Sequence, residues 1–146
     1  MRFLLKSCLI TGILILIVYG FKLRPLQKVK VDGKLICNGK AAKGIRIKMF
    51  ELDDILFDDL MGKTKTGRNG RFYITGSARE ISRIAPKLNI YHRCNQSRAL
   101  CDVKIPIKIP TNKASYGSQE EPEIFHLGII ELGKRWPGQE DSDCIN

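Results

Sequence analysis

The stretch from Ile84 to Pro110 does most to limit what this chain can fold into. In its second half Val103, Ile105, Ile107 and Ile109 alternate with Asp102, Lys104, Pro106 and Lys108. A period of two puts the apolar set on one face of a strand and the polar set on the other. Leu88, Ile90 and His92 supply the matching face of a preceding strand, and a short polar loop joins the two. Cys94 and Cys101 stand at the mouths of that loop. Residues at the ends of an antiparallel pair lie about 4.5–5.5 Å apart, a separation a disulfide can span. The spacing therefore predicts a hairpin closed by a Cys94–Cys101 bridge, from which the rest of the fold builds outward. Pro106 and Pro110 cannot donate to a ladder, which places the second strand at an edge or near a bulge.

The other cysteines follow from the compartment. Arg2 and Lys6 precede an apolar run from Cys8 to Val18, and Val18-Tyr19-Gly20 offers a signal-peptidase site. The run is too short to span a bilayer, which takes about 20 apolar residues, and Lys22 and Arg24 end it. Residues 1–20 are thus expected to be a signal peptide and residues 21–146 a single secreted domain. Cleavage removes Cys8 and leaves Cys37, Cys94, Cys101 and Cys144, an even set for an oxidising compartment. With Cys94 assigned to Cys101, Cys37 pairs with Cys144. No Cys-x-x-Cys spacing suggests a metal or redox site.

The remaining chain reads as short strands and turns. Lys28 to Cys37 alternates, with Val29, Val31, Leu35 and Cys37 inward; Ile45 to Glu51 follows with Ile45, Ile47 and Met49 inward. Leu52 to Met61 breaks the alternation, and its four aspartates lack the mid-loop glycine and closing glutamate of a calcium loop. Lys63 to Thr66 and Arg71 to Thr75 flank Gly67-Arg68-Asn69-Gly70, a strong hairpin turn, and a helical turn can fit between Gly76 and Arg83. Glu123 to Leu132 carries Phe125, Leu127 and Ile129 on one face and Ile124, Ile130 and Leu132 on the other. That profile predicts a central strand buried on both sides, or one covered by a partner subunit. The tail after Leu132 has no periodicity. About seven strands with no competing amphipathic helix predict an all-β, two-sheet sandwich.

Losing Arg2 and Lys6 takes the formal charge from +10 to +8. A basic secreted chain favours an anionic lipid or glycan surface, or an acidic extracellular protein, over nucleic acid, for which no motif is present. Lys28, Lys30, Lys34, Arg46 and Lys48 fall on the outer faces of the first two strands. Lys63, Lys65, Arg68 and Arg71 crowd the next hairpin. If those strands are neighbours, the nine residues form one positive surface; the alternative is a solvated face that only keeps the domain soluble. Asn95-Gln96-Ser97 is an N-glycosylation sequon in a surface loop.

Several of these segments together resemble the nematode transthyretin-like family of small secreted proteins. The resemblance rests on Gly33-Lys34-Leu35-Ile36-Cys37-Asn38-Gly39-Lys40, Asp58-Asp59-Leu60-Met61, Gly67 to Phe72, and Pro86 to Cys94. It continues through Cys101, Ile105-Pro106, Leu127 to Leu132, and Trp136-Pro137-Gly138 to Cys144. Arg93 and Phe125-His126 depart from the family pattern toward positive character. The resemblance implies a transthyretin-like β-sandwich, secretion, and a bridging or lipid-recognising role seen in some members. Hydroxyisourate hydrolases among true transthyretin relatives end in Tyr-Arg-Gly-Ser, whereas this chain ends Asp-Cys-Ile-Asn. With His92 and His126 its only histidines and no nucleophile motif, the chain is read as non-enzymatic and without cofactor. Two roles follow: recognition of an anionic extracellular surface or lipid, or carriage of a small hydrophobic ligand within the sandwich or at a subunit interface.

Overall fold

A computed structural model describes residues 6, 8, 10–15, 24–52, 58–96 and 101–143. The described strands are β1 (Leu26–Cys37), β2 (Lys40–Ala41), β3 (Arg46–Glu51), β4 (Asp59–Lys65), β5 (Arg71–Arg79), β6 (Pro86–His92), β7 (Asp102–Lys108), β8 (Ile124–Glu131) and β9 (Glu140–Asp143). They form two sheets. In the first, β1 pairs antiparallel with β2 and β5 and parallel with β8; the second runs β4-β3-β6-β7-β9. Val29, Val31 and Leu35 of β1 and Phe72 and Ile74 of β5 meet Ile47, Met49, Leu88, Ile90 and Ile105 of the second sheet in one core. These are the inward positions of each alternating run, so the period of two has sorted the chain into a two-layer sandwich.

The hairpin from Pro86 to Lys108 forms in the expected register, with Leu88 opposite Ile107, Ile90 opposite Ile105 and His92 opposite Val103. Its disulfide does not. Cys94 bonds Cys37, with Cα atoms 5.8 Å apart, which overturns both the Cys94–Cys101 and the Cys37–Cys144 pairings, and Cys101 is itself disulfide-bonded elsewhere. Cys37 ends β1 of the first sheet and Cys94 follows β6 of the second, so the bridge ties the two layers instead of closing a loop within one. Cys144 lies outside the described residues.

Three further departures concern which strands pair and for how long. The turn at Gly67–Gly70 forms, with the Gly70 N–H donating to the Gly67 carbonyl at 3.0 Å and a φ of 75° at Gly70. Yet β4 and β5 join different sheets, so the turn is a corner between layers and not a hairpin ladder. β5 runs on to Arg79 where a helical turn was expected, held by pairs out to Arg79 opposite Leu26. β8 is neither central nor apolar on both faces. It pairs only with β1 among the described strands, and a bulge between Asp32 and Lys34 gives it one extra residue. Gly128, at φ 76°, supplies the positive φ such a bulge uses. The bulge re-phases the strand: Phe125, Leu127, Ile130 and Leu132 turn inward, leaving Ile124 and Ile129 exposed.

Pro106 is accommodated because β9 covers only part of β7. The β7–β9 pairs are Asp102 with Asp143 and Lys104 with Glu140, and Pro106 lies past them on an open edge. β9 itself gives the unpatterned tail a strand. At the other end of the chain the described residues among 6–15 are helical, and Ile10, Ile13, Leu14 and Ile15 are all more than half exposed. No helix among the described residues is long and apolar enough to cross a membrane.

Candidate functional site

The outer face of the second sheet gathers the cations into rows. Cross-strand registers place Lys65, Arg46, Tyr91 and Lys104 in one row and Lys63, Lys48, Asn89 and Pro106 in the next. A third row holds Leu60, Phe50, Lys87 and Lys108. Neighbouring strands lie about 4.8 Å apart and alternate residues about 6.8 Å along a strand, so the rows form a continuous patch. Three pairs in it oppose like charges directly: Arg46 with Lys65, Lys48 with Lys63, and Lys87 with Lys108.

Some of this charge is neutralised. Arg46 and Arg93 both bind the buried Asp102 carboxylate, the latter at 2.7 Å. Burial pushes the Asp102 carboxyl up, but the Arg93 and Arg46 guanidiniums outweigh it and hold the group below the ordinary range. Lys87 pairs with Asp58 at 2.5 Å and Lys104 with Glu140 at 2.8 Å. Lys48, Lys63, Lys65 and Lys108 have no carboxylate partner among the described residues. Lys48 and Arg46 fold instead over the Tyr91 ring, 5.5 and 5.7 Å from its centroid. Beneath them Tyr91 and Asn89 are buried, and the Asn89 side chain donates to the Tyr91 hydroxyl at 3.4 Å. The Asn89 Oδ1 is buried and accepts no hydrogen bond.

The nine basic residues expected on one surface divide between two. Arg46, Lys48, Lys63 and Lys65 share the face just described, while Lys28, Lys30, Lys34 and Arg71 lie on the outer side of the first sheet. Arg68 sits in the exposed corner turn. β1 and β3 are adjacent in sequence but belong to different layers, and a sandwich turns their outer faces away from each other. On the first sheet Lys28 and Lys30 both bind Glu121, at 2.8 and 2.6 Å, and hold its carboxyl down at about 2. Sequence reasoning omitted Lys87, Lys104, Lys108, Asn89 and Tyr91 from the patch. The alternation had already placed Lys104 and Lys108 outward; the missing information was that β3 lies beside β6.

The bridged end of the sandwich is built for rigidity. The Asn38 amide donates to Asn95 Oδ1 at 2.7 Å beside the Cys37–Cys94 bridge. Glu131 accepts the backbone N–H groups of Asn38, Gly39 and Gly133 at 2.8–2.9 Å, and these bonds, that of Gly133 foremost, lower its pKa. Asn95 is exposed in a turn at φ 64°, and Ser97 of its sequon lies outside the described residues.

The histidines do not converge. His92 is buried in β6, where its Nδ1 accepts the Cys94 N–H at 3.1 Å and burial lowers its pKa. His126 stands exposed on the first sheet, 2.8 Å from Asp32. No group of three or more His, Cys, Asp or Glu side chains among the described residues is placed to hold a metal.

Comparison with known proteins agrees with this architecture. The family described as "TTR-52: Transthyretin-like family" matches residues 32–110, from β1 to just past β7. Transthyretin-like protein 5 of Caenorhabditis elegans is 44% identical over 121 residues, covering 82% of this chain and 86% of the relative. Transthyretin-like protein 1 of the same organism is 39% identical over 121 residues, covering 78% of this chain and 77% of its own. Transthyretin-like protein 2 is 31% identical over 126 residues, covering 82% and 84%. With two sheets in this order, an inter-sheet disulfide among the described residues and relatives matched over most of both lengths, the chain belongs to the transthyretin-like family.

Proposed function

We propose that this protein is a secreted, non-enzymatic recognition module that meets an anionic extracellular surface through the outer face of β3, β6 and β7 with β4. The observation that carries the reading is the set of three like-charge pairs on that face. Like charges set directly opposite each other across a sheet work against folding. Asp102 and Asp58 offset two of the pairs, but Lys48 with Lys63, and Lys65 and Lys108 beside them, lack carboxylate partners among the described residues, which leaves the face poised for an external anion. The bridging role implied for some family members fits a rigid module with one charged face.

The N-terminal helix supports secretion, since its apolar side chains stay exposed instead of joining the core, as expected of a leader that is removed. Exposure of Asn95 supports its use as a glycan acceptor. Carriage of a hydrophobic ligand loses its motivating feature, because the bulge at Gly128 turns most of the apolar residues of β8 into the core.

Co-sedimentation with vesicles tests the reading. Binding is expected with anionic vesicles at low ionic strength, not with neutral ones, and it weakens as salt is added. At roughly 1 kcal/mol per cation near an anionic surface, Lys48→Gln with Lys63→Gln weakens binding roughly 30-fold. Equal binding to neutral vesicles, or an unaffected double variant, would refute it.

A further inference from the structure

We infer that the face formed by β4, β3, β6 and β7 is a binding site for a linear sulfated polysaccharide. The inference rests on the anionic-surface reading above and narrows it to one ligand chemistry. Two features of the face separate a sugar chain from a lipid bilayer.

First, the centre of the patch lacks the apolar anchors that peripheral membrane proteins push below the headgroups, and the one exposed aliphatic among the described residues of the face, Leu60, is confined to its edge opposite Phe50. Among the described residues outside the N-terminal helix, Tyr73, Ile81, Tyr116, Ile124 and Ile129 are exposed large apolar residues that lie off this sheet, and Leu60 sits at its margin on β4. The centre of the patch holds Tyr91, Asn89 and Pro106 in place of protruding aliphatics.

Second, the centre offers something a sulfate or phosphate group cannot use. The Asn89 Oδ1 is a buried acceptor without a donor, in a residue only 6% exposed. A buried polar atom left unpaired is costly, and a phosphodiester oxygen has no proton to give it; in a bilayer only a headgroup hydroxyl or ammonium has one, and it would have to reach below the lysines. A sugar hydroxyl does. The cations ring this acceptor: Lys48 is opposite Asn89 on β3, Lys63 lies beyond it on β4, and Lys108 stands on the far side on β7.

A chain with sulfates along its length and hydroxyls on its rings matches both parts at once. Its sulfates take Lys48, Lys63, Lys65 and Lys108, and one ring lies over Tyr91 and Pro106 with a hydroxyl donating to Asn89 Oδ1. In the free protein Lys48 and Arg46 cover Tyr91 by cation–π contact, a weak interaction at exposed sites. Ion pairing with sulfate replaces it, and the Lys48 stem swings outward to open the Asn89 amide.

The experiment is calorimetric titration of the intact protein with a heparin-derived oligosaccharide and with its fully desulfated counterpart, beside the vesicle assay. Two triple variants of equal charge loss are compared: Lys48→Gln, Lys63→Gln and Lys108→Gln on this face, and Lys34→Gln, Arg71→Gln and Arg79→Gln on the other sheet. The sulfated oligosaccharide is expected to bind and the desulfated one not to. The first triple variant weakens binding at least about tenfold and flattens its salt dependence, while the second stays near wild type. Asn89→Leu, checked for folding by circular dichroism, weakens oligosaccharide binding by a larger factor than it weakens vesicle binding. Equal losses in the two triple variants would reduce the effect to net charge and overturn the inference, as would equal binding of the desulfated chain. Binding to anionic vesicles through this face without binding the sulfated oligosaccharide overturns the polysaccharide and leaves the anionic-surface reading standing. No binding to either overturns both.

Discussion

Replacing Cys37 and Cys94 together by serine removes the covalent tie between the two sheets without freeing a thiol to mispair. The bridged residues are 57 positions apart. On the chain-entropy model, closing a loop of that length in the unfolded chain is worth roughly 4 kcal/mol. For a folded region of about 120 residues, an unfolding entropy near 2.1 cal/mol/K per residue converts each kcal/mol into a shift of about 4 °C. The double variant should therefore melt about 15 °C lower than the parent. A bridge between Cys94 and Cys101 would close a far shorter loop within one sheet and leave the layers to hydrophobic packing alone. Thermal unfolding by circular dichroism measures the shift, and non-reducing peptide mapping identifies the cross-link. A peptide joining Cys94 to Cys101, or a melting point lowered by less than about 5 °C, would refute the reasoning.

The same map should recover Cys101 in a second cross-link, with Cys144 the remaining candidate partner by count; a free Cys101 thiol contradicts this. Gly70→Ala should cost about 2–3 kcal/mol in urea unfolding, because the site combines a φ of 75° with a new Cβ against the Leu35 carbonyl. A near-neutral result would mean that the corner turn relaxes. The folded pKa of Glu121, about 2, lies below its ordinary 4.5, so its stabilising effect is complete above pH 4.5 and is lost as pH falls toward 2. Glu121→Gln should accordingly be less stable than the parent at pH 6 and equal to it near pH 2; a difference independent of pH contradicts the ion pairs. Burial likewise depresses His92 below 6.5, so the stability of its neutral form is full above pH 6.5 and is lost as pH falls through the lower folded value. His92→Asn should flatten stability against pH over that interval, and an unchanged profile would place the acid sensitivity elsewhere.

The amino-acid order alone determined the strands, because alternation is local: Val29, Val31, Ile47, Met49, Leu88, Ile90 and Ile105 are inward wherever their strands end up. It also determined the β6–β7 register and a tight turn at Gly67–Gly70, though not that the turn rounds a corner between sheets. What it left open was which strands are neighbours, since that depends on contacts between residues far apart in the chain. Tertiary structure decided that the outer faces of β1 and β3 point away from each other, which split the basic residues between two surfaces and brought Lys87, Lys104 and Lys108 to one of them. It decided that Cys94 meets Cys37, because the ends of β1 and β6 approach across the sandwich. It placed a bulge at Gly128, and one extra residue there reversed the face of every side chain that follows. Periodicity records which way a side chain points along its own strand; only the packing of the two layers records what stands opposite it.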